Sequence, residues 1–361
     1  MDVAGGSSLR KRVFCWSGAR APRASQVVAV MLGLAGPIAA GVMVGHARMG
    51  MVMSLGGLAL SGDGKGETFR EQVPGLVYAL VAGSAAMFTG SAMAGHDMLT
   101  AFGVPAIAAA AGLLGGISRP LARATTQFMV YTIIAANLGL SGVHPLATML
   151  LFSLGAAWAA GLSLILRPLF QALGSDPTPH TPANVVPSPR RYAGQLLHRW
   201  WNSLAHLSGW QYALRITLCL ATAEAFEWIF PHHHGYWVSI TVVIVVQRNL
   251  QAALTRTLQR AAGTALGVLL VSLLLLGSPG LWAMISMLAV LAAVRPILKE
   301  ANYTAYAAVT TPLIILLLDF GQKTSWPVIV DRLAATLAGC VLALTFGYLM
   351  WSANHPITGR T

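Results

Sequence analysis

Runs of about 20 residues without a single charge recur along this chain, and they limit its folding options more than any other feature. Residues 25–45, 74–95 and 125–166 contain no Asp, Glu, Lys or Arg. A helix rising about 1.5 Å per residue crosses a hydrocarbon core with about 20 such residues. An outer-membrane barrel would instead show short alternating segments, and an open sheet cannot satisfy its backbone in lipid. Composition agrees: 9% of the 361 residues are charged and 56% are hydrophobic, more apolar material than a soluble globule of this size can bury. Disorder and a disulfide scaffold are excluded by the apolar content and by only three cysteines, Cys15, Cys219 and Cys340.

The pattern predicts an all-α, polytopic transmembrane bundle of about twelve helices. Segments begin near Ser25, Met49, Val73, Met98, Thr125, Pro145, Gln211, Tyr236, Leu258, Leu281, Ala301 and Asp331. With the amino terminus in the cytoplasm, all of the 23 Lys and Arg except Arg48, Lys323 and Arg332 fall on the inner side. The positive-inside rule then places both termini in the cytoplasm, and most of the +12 net charge is topology. No soluble basic domain exists to bind nucleic acid.

Three spacings suggest an internal duplication into two parallel six-helix repeats. Arg70 and Arg256 each open a Gly- and Ala-rich helix; Arg119-Pro120 and Arg295-Pro296 each precede a basic residue; Pro145 and Pro327 each open the last helix of a half. The expected organisation is a basic segment over 1–24, a first repeat over 25–170, a linker and interfacial helix over 171–210, a second repeat over 211–351, and a tail over 352–361. Five prolines between Pro177 and Pro189 make the linker extended. The aromatic and basic mixture of residues 190–210 suits a helix lying in the membrane interface.

The second segment of each half is short, and short segments at matching places in two repeats point to a transporter's central site. The alternative is that these helices extend into the polar residues that follow. Glu224 and Glu227 lie in an apolar segment and share a helical face, so Glu224 is a candidate proton carrier or the partner of a buried Arg. Glu227 reads as interfacial. His232, His233 and His234 read as a solvated loop, not a metal site, because no Cys or carboxylate completes a ligand set. Gly62-Asp63-Gly64-Lys65-Gly66 lacks the outer Gly and the Ser or Thr of a phosphate loop. No nucleophile, base and orienter fall together, so neither an enzyme nor a cofactor is expected. Gly263 and Gly267, with Thr264 between them, keep one face small enough for a neighbouring helix. Arg256 and Arg260 share a face at that helix's cytoplasmic entrance, where snorkelling and a substrate role are both open.

Tyr236-Trp237-Val238-Ser239-Ile240-Thr241-Val242-Val243, Leu254-Thr255-Arg256 and Arg260-Ala261-Ala262-Gly263-Thr264-Ala265-Leu266-Gly267 resemble the signature of the fusaric acid resistance and aromatic acid exporter family. The likeness continues through Asn302-Tyr303, Thr310-Thr311-Pro312-Leu313 and Asp331-Arg332. It covers roughly residues 211–350 and extends more remotely to the plant aluminium-activated malate transporters. Asn249 stands where members often have Pro, and many members carry a larger cytoplasmic region between the halves.

What the resemblance implies is a multi-pass protein of a bacterial inner membrane exporting small organic anions, aromatic carboxylates foremost, with proton coupling. A passive anion channel and a non-transporting scaffold are the alternatives. The resemblance favours Arg256 and Arg260 along the anion path, where Arg248, Tyr236 and Thr241 are further candidates; the repeat adds Arg70, and the carboxylate in an apolar run makes Glu224 the candidate for coupling. The expected partners are the organic anion and membrane lipid, with a second copy or a partner export protein as further candidates.

Overall fold

The computed structural model describes residue 16 and residues 22–61, 69–138, 143–174, 176, 193–229, 235–248, 250–275, 279–318, 320 and 326–352. The histidine run, the glycine-rich run at 62–66, the prolines of the linker and both chain ends lie outside the described residues.

Every regular element among the described residues is helical, and the twelve expected segments each coincide with a helix. In the first half these are α1 (Ala24–Met43), α2 (Ala47–Leu60), α3 (Phe69–Met93), α4 (Asp97–Leu114), α5 (Arg119–Asn137) and α6 (Pro145–Ala172). A separate helix, α7 (Ala193–Leu204), precedes α8 (Leu207–Ile229), α9 (Tyr236–Val245), α10 (Leu250–Leu275), α11 (Leu281–Ala301), α12 (Tyr303–Leu318) and α13 (Trp326–Leu344). A π turn over Thr345–Leu349 and a last helical turn, α14 (Met350–Ser352), complete the described chain.

Seven helices are long and apolar enough to cross a membrane: α1, α3, α4, α6, α10, α11, and α13 with its π turn. Three more, α2, α9 and α12, are apolar but shorter, at 14, 10 and 16 residues. The first turns of α5 carry Arg119 and Arg123, and α8 carries Arg215, Glu224 and Glu227, so these two are long but less apolar.

Local sequence sets several ends. Ser118 accepts a hydrogen bond from Leu121 N at 3.3 Å and Pro120 fills the first turn, which together start α5. His144 and Pro145 do the same for α6. Gly45 and Gly95, at φ 78° and 80°, make the tight turns into α2 and α4.

Large apolar side chains face outward. Leu150, Leu154 and Ile165 on α6 and Leu266, Leu269 and Leu273 on α10 are exposed, while Ser54, Thr148, Ser239, Thr264 and Thr311 are fully buried. A surface carrying this many large apolar side chains is what a bilayer solvates. The protein is therefore a multi-pass helical membrane protein.

Helix pairings recur between the halves. In the first, α1 packs on α2 and α6, α2 on α6, α3 on α5 and α6, and α4 on α5. In the second, α8 packs on α9 and α13, α9 on α13, α10 on α12 and α13, and α11 on α12. Between the halves, α4 lies on α8 as α11 lies on α1, and α5 meets α9 as α12 meets α2. The short helices α2 and α9 are thus enclosed: nearly all of α9, and α2 from Gly50 onward, are buried apart from single positions. Backbone contact makes this possible, since a Cβ on Gly56 would overlap the Phe152 carbonyl of α6.

One expected correspondence does not hold. Arg119 opens α5, whereas Arg295-Pro296 sits inside α11, several residues before its end. The dipeptides look alike but occupy different elements.

Candidate functional site

The short helix α9 organises the interior of the second half. It ends where Val246 leaves helical geometry, at φ −66° and ψ 109°, and α10 resumes at Leu250. On α9, Ser239 donates to Glu224 Oε1 of α8 at 2.8 Å, both residues being buried. The sequence left a buried Arg open as the partner of Glu224; among the described residues the carboxylate accepts from a hydroxyl and pairs with no guanidinium. Burying a carboxylate with only a neutral partner is costly, which makes Glu224 the candidate ionisable group of this region. Glu227 is half-buried and packs beside Gly235, just ahead of α9.

Trp237 and Thr241 face α13. The Arg332 guanidinium carbon lies 3.1 Å from the centre of the Trp237 ring, and Arg332 is 1% exposed. Counted in the sequence as an outward charge, Arg332 is instead within α13, which begins five residues before the expected Asp331. Thr241 Oγ1 donates back to Trp237 O at 2.8 Å, and its Cβ sets the space available at Gly339 of α13. Tyr236 is half-buried, with its ring 4.7 Å from that of Trp237.

Arg260 and Thr264 lie one turn apart on α10, at 2% and 0% exposure. Arg260 Nε and Thr264 Oγ1 have no hydrogen-bond partner among the described residues. A buried guanidinium with an open N–H, one turn from an open hydroxyl, is arranged to receive an anionic oxygen. Gly263 and Gly267, on the adjoining face, press against α12 so closely that a Cβ on Gly263 would meet Ala307 and Thr304 O. Arg256, one turn before Arg260, is half-buried with its guanidinium carbon 3.7 Å over the Tyr303 ring. Arg70 falls in the first turn of α3, and its side chain lies outside the described residues.

At the break after α9, Arg248 lies with its guanidinium carbon 4.1 Å over the Tyr212 ring and donates to Gly112 O of α4 at 3.0 Å. A counterpart tie runs the other way. Arg295 of α11 donates to the Tyr306 hydroxyl at 2.8 Å through Nη2 and reaches Ser61, the residue closing α2. Each tie joins the end of a short helix in one half to the fourth helix of the other. Sequence reading missed both, as well as Ser239 and the buried Arg215, which donates to Gly347 O. Hydroxyls and carbonyls carry no signal in an apolar run until packing brings them together.

These features define a multi-pass helical membrane protein whose largely apolar interior holds a few buried polar and charged side chains around two short helices. Comparison with known families agrees with the resemblance: the family described as Fusaric acid resistance protein-like matches residues 218–346, from α8 to the π turn. The chain is 28% identical to Inner membrane protein YccS of Escherichia coli over 144 residues, which is 39% of this chain and 20% of that protein. It is 26% identical to an uncharacterized protein of Haemophilus influenzae over 141 residues, 39% of this chain and 20% of the relative. A third relative, an uncharacterized protein of Synechocystis, is 26% identical over 168 residues, 44% of this chain and 22% of its own length. The matches thus span about a fifth of these curated relatives. No solved structure matches the chain.

Proposed function

We propose that the protein is an inner-membrane transporter that exports small organic anions, aromatic carboxylates foremost, using the proton gradient. The observation that carries this reading is the buried Glu224 carboxylate held by Ser239 of the interrupted helix α9. A protonatable group held by a short, interrupted helix within the bundle suits coupling. The buried Arg260 and Thr264, with Arg256 on the adjacent turn, supply the anion's path, and Arg248 and Arg70 extend it. The organisation into two parallel repeats, with both termini cytoplasmic, is part of the same proposal. The recurrent helix pairings of the two halves support the repeat, and the distribution of Lys and Arg supports the orientation.

Purified protein in liposomes, assayed for efflux of labelled aromatic acids with and without a pH gradient, tests the reading. Gradient-dependent efflux is expected. Anion current without coupling would identify a channel, and absence of any flux would identify a scaffold.

A further inference from the structure

On the membrane face where α4 and α9 end, a cavity of about 740 Å³ opens between the bundle and α7. Its floor is the turn from Gly115 to Ser118 with the first turn of α5, and its wall is one face of α7 carrying Leu196, Arg199, Trp200 and Ser203. Arg119, Arg199 and Arg248 line it, and among the described residues no acidic residue does. Arg119 and Arg199 make no hydrogen bond or ion pair among the described residues, so their charge is uncommitted. Arg248 is fixed by Tyr212 and by Gly112 O, and Gly115 leaves room for it, since a Cβ there would strike the guanidinium. The amino-terminal turn of α5 adds a partial positive charge to the same space.

The setting of α7 says which anion fits. Trp200 Nε1 donates to Leu113 O at 2.9 Å, tying α7 to the end of α4. The opposite face of α7 presents Leu197 and Trp201, which are 55% and 69% exposed. A helix with an exposed Trp and Leu on one face and Arg on the other lies in the headgroup layer. The cavity is therefore at headgroup depth, and Ile117, Leu196 and Trp200 in its own lining supply apolar surface for acyl chains. An inorganic anion gains nothing from that surface.

We infer that this cavity binds the phosphate of an anionic phospholipid, held by Arg119, Arg199 and Arg248, with the chains lying along α7. Guanidinium forks suit phosphate oxygens, and basic pockets at a membrane face select acidic headgroups. The inference stands apart from the transport reading except at Arg248, which that reading places on the anion's path.

Native mass spectrometry of the full chain in neutral detergent tests it, titrating phosphatidylglycerol, phosphatidylcholine and inorganic phosphate. Phosphatidylglycerol should bind at least about tenfold tighter than phosphatidylcholine, a difference of about 1.4 kcal/mol. The preference should vanish in the double variant Arg119→Gln, Arg199→Gln. It should vanish equally in Ser203→Glu, which keeps every arginine and places a carboxylate in the cavity. An unchanged melting temperature in at least one of these establishes that folding is intact. Equal binding of the two lipids, or a preference surviving in the folded variants, overturns the inference. Displacement of phosphatidylglycerol by millimolar phosphate overturns it too, by making the cavity a site for free anions.

Discussion

Glu224 and Arg260 pose the sharpest questions at the scale of single residues, because each is a buried ionisable group whose partners fall short of a counter-charge. Glu224→Gln keeps the shape and a hydrogen-bond acceptor for Ser239 but cannot exchange a proton. It is expected to abolish gradient-driven efflux while the protein still purifies as a folded species; unchanged efflux would assign the residue to structure. Arg260→Lys keeps the charge and loses the fork, so apparent substrate affinity should fall, and Arg260→Gln should lower it further. Efflux kinetics of the two variants decide this, and a Lys variant with wild-type affinity would leave Arg260 out of the path. Legibility in the sequence differed sharply between these residues and their surroundings. Glu224 stood out because a carboxylate in an apolar run is costly. Ser239 did not, because a serine in such a run can satisfy itself on its own helix, as Ser91 and Ser153 do here. Arg332 counts in the sequence only as an outer-side charge, because its burial under Trp237 depends on a contact between α13 and α9.

Helices were the most legible level, since a continuous apolar run has one stable form in lipid. Their existence and order follow from hydropathy alone, while their ends depend on caps and on contacts between helices. Both short helices remain short: α2 has 14 residues and α9 has 10, so α9 rises only about 15 Å. What hydropathy could not convey is that they are enclosed by their neighbours, which is why they need not reach across the bilayer. Packing of α10 on α12 is testable at this scale. A Cβ at Gly267 would press on Ala308 O and Thr311, so Gly267→Val should overpack the contact and destabilise by about 1–3 kcal/mol. Thermal unfolding in detergent measures this, and Gly280→Val, where a Cβ meets nothing within 4 Å, is the control. Equal melting temperatures for the two would show that the close approach is not needed.

For the whole molecule, the proposed orientation predicts that cysteines replacing Lys65, Arg123 and Lys299 are shielded in intact spheroplasts. Those replacing His96, His233 and Lys323 should react with an impermeant thiol reagent. Labelling of the first set from outside would invert or break the topology. The charge count that motivates this orientation included Arg215 and Arg260, which the fold buries, yet the loop charges retain the same bias without them. The two arginine ties have a mechanical meaning for any motion of the halves. One joins Arg248 to α4, and the other joins Arg295 to the end of α2. Any motion that parts the end of α9 from α4 has to break the Arg248 bond, and any that parts α11 from the end of α2 has to break the Arg295 bond, so each arginine is a latch on relative movement of the halves.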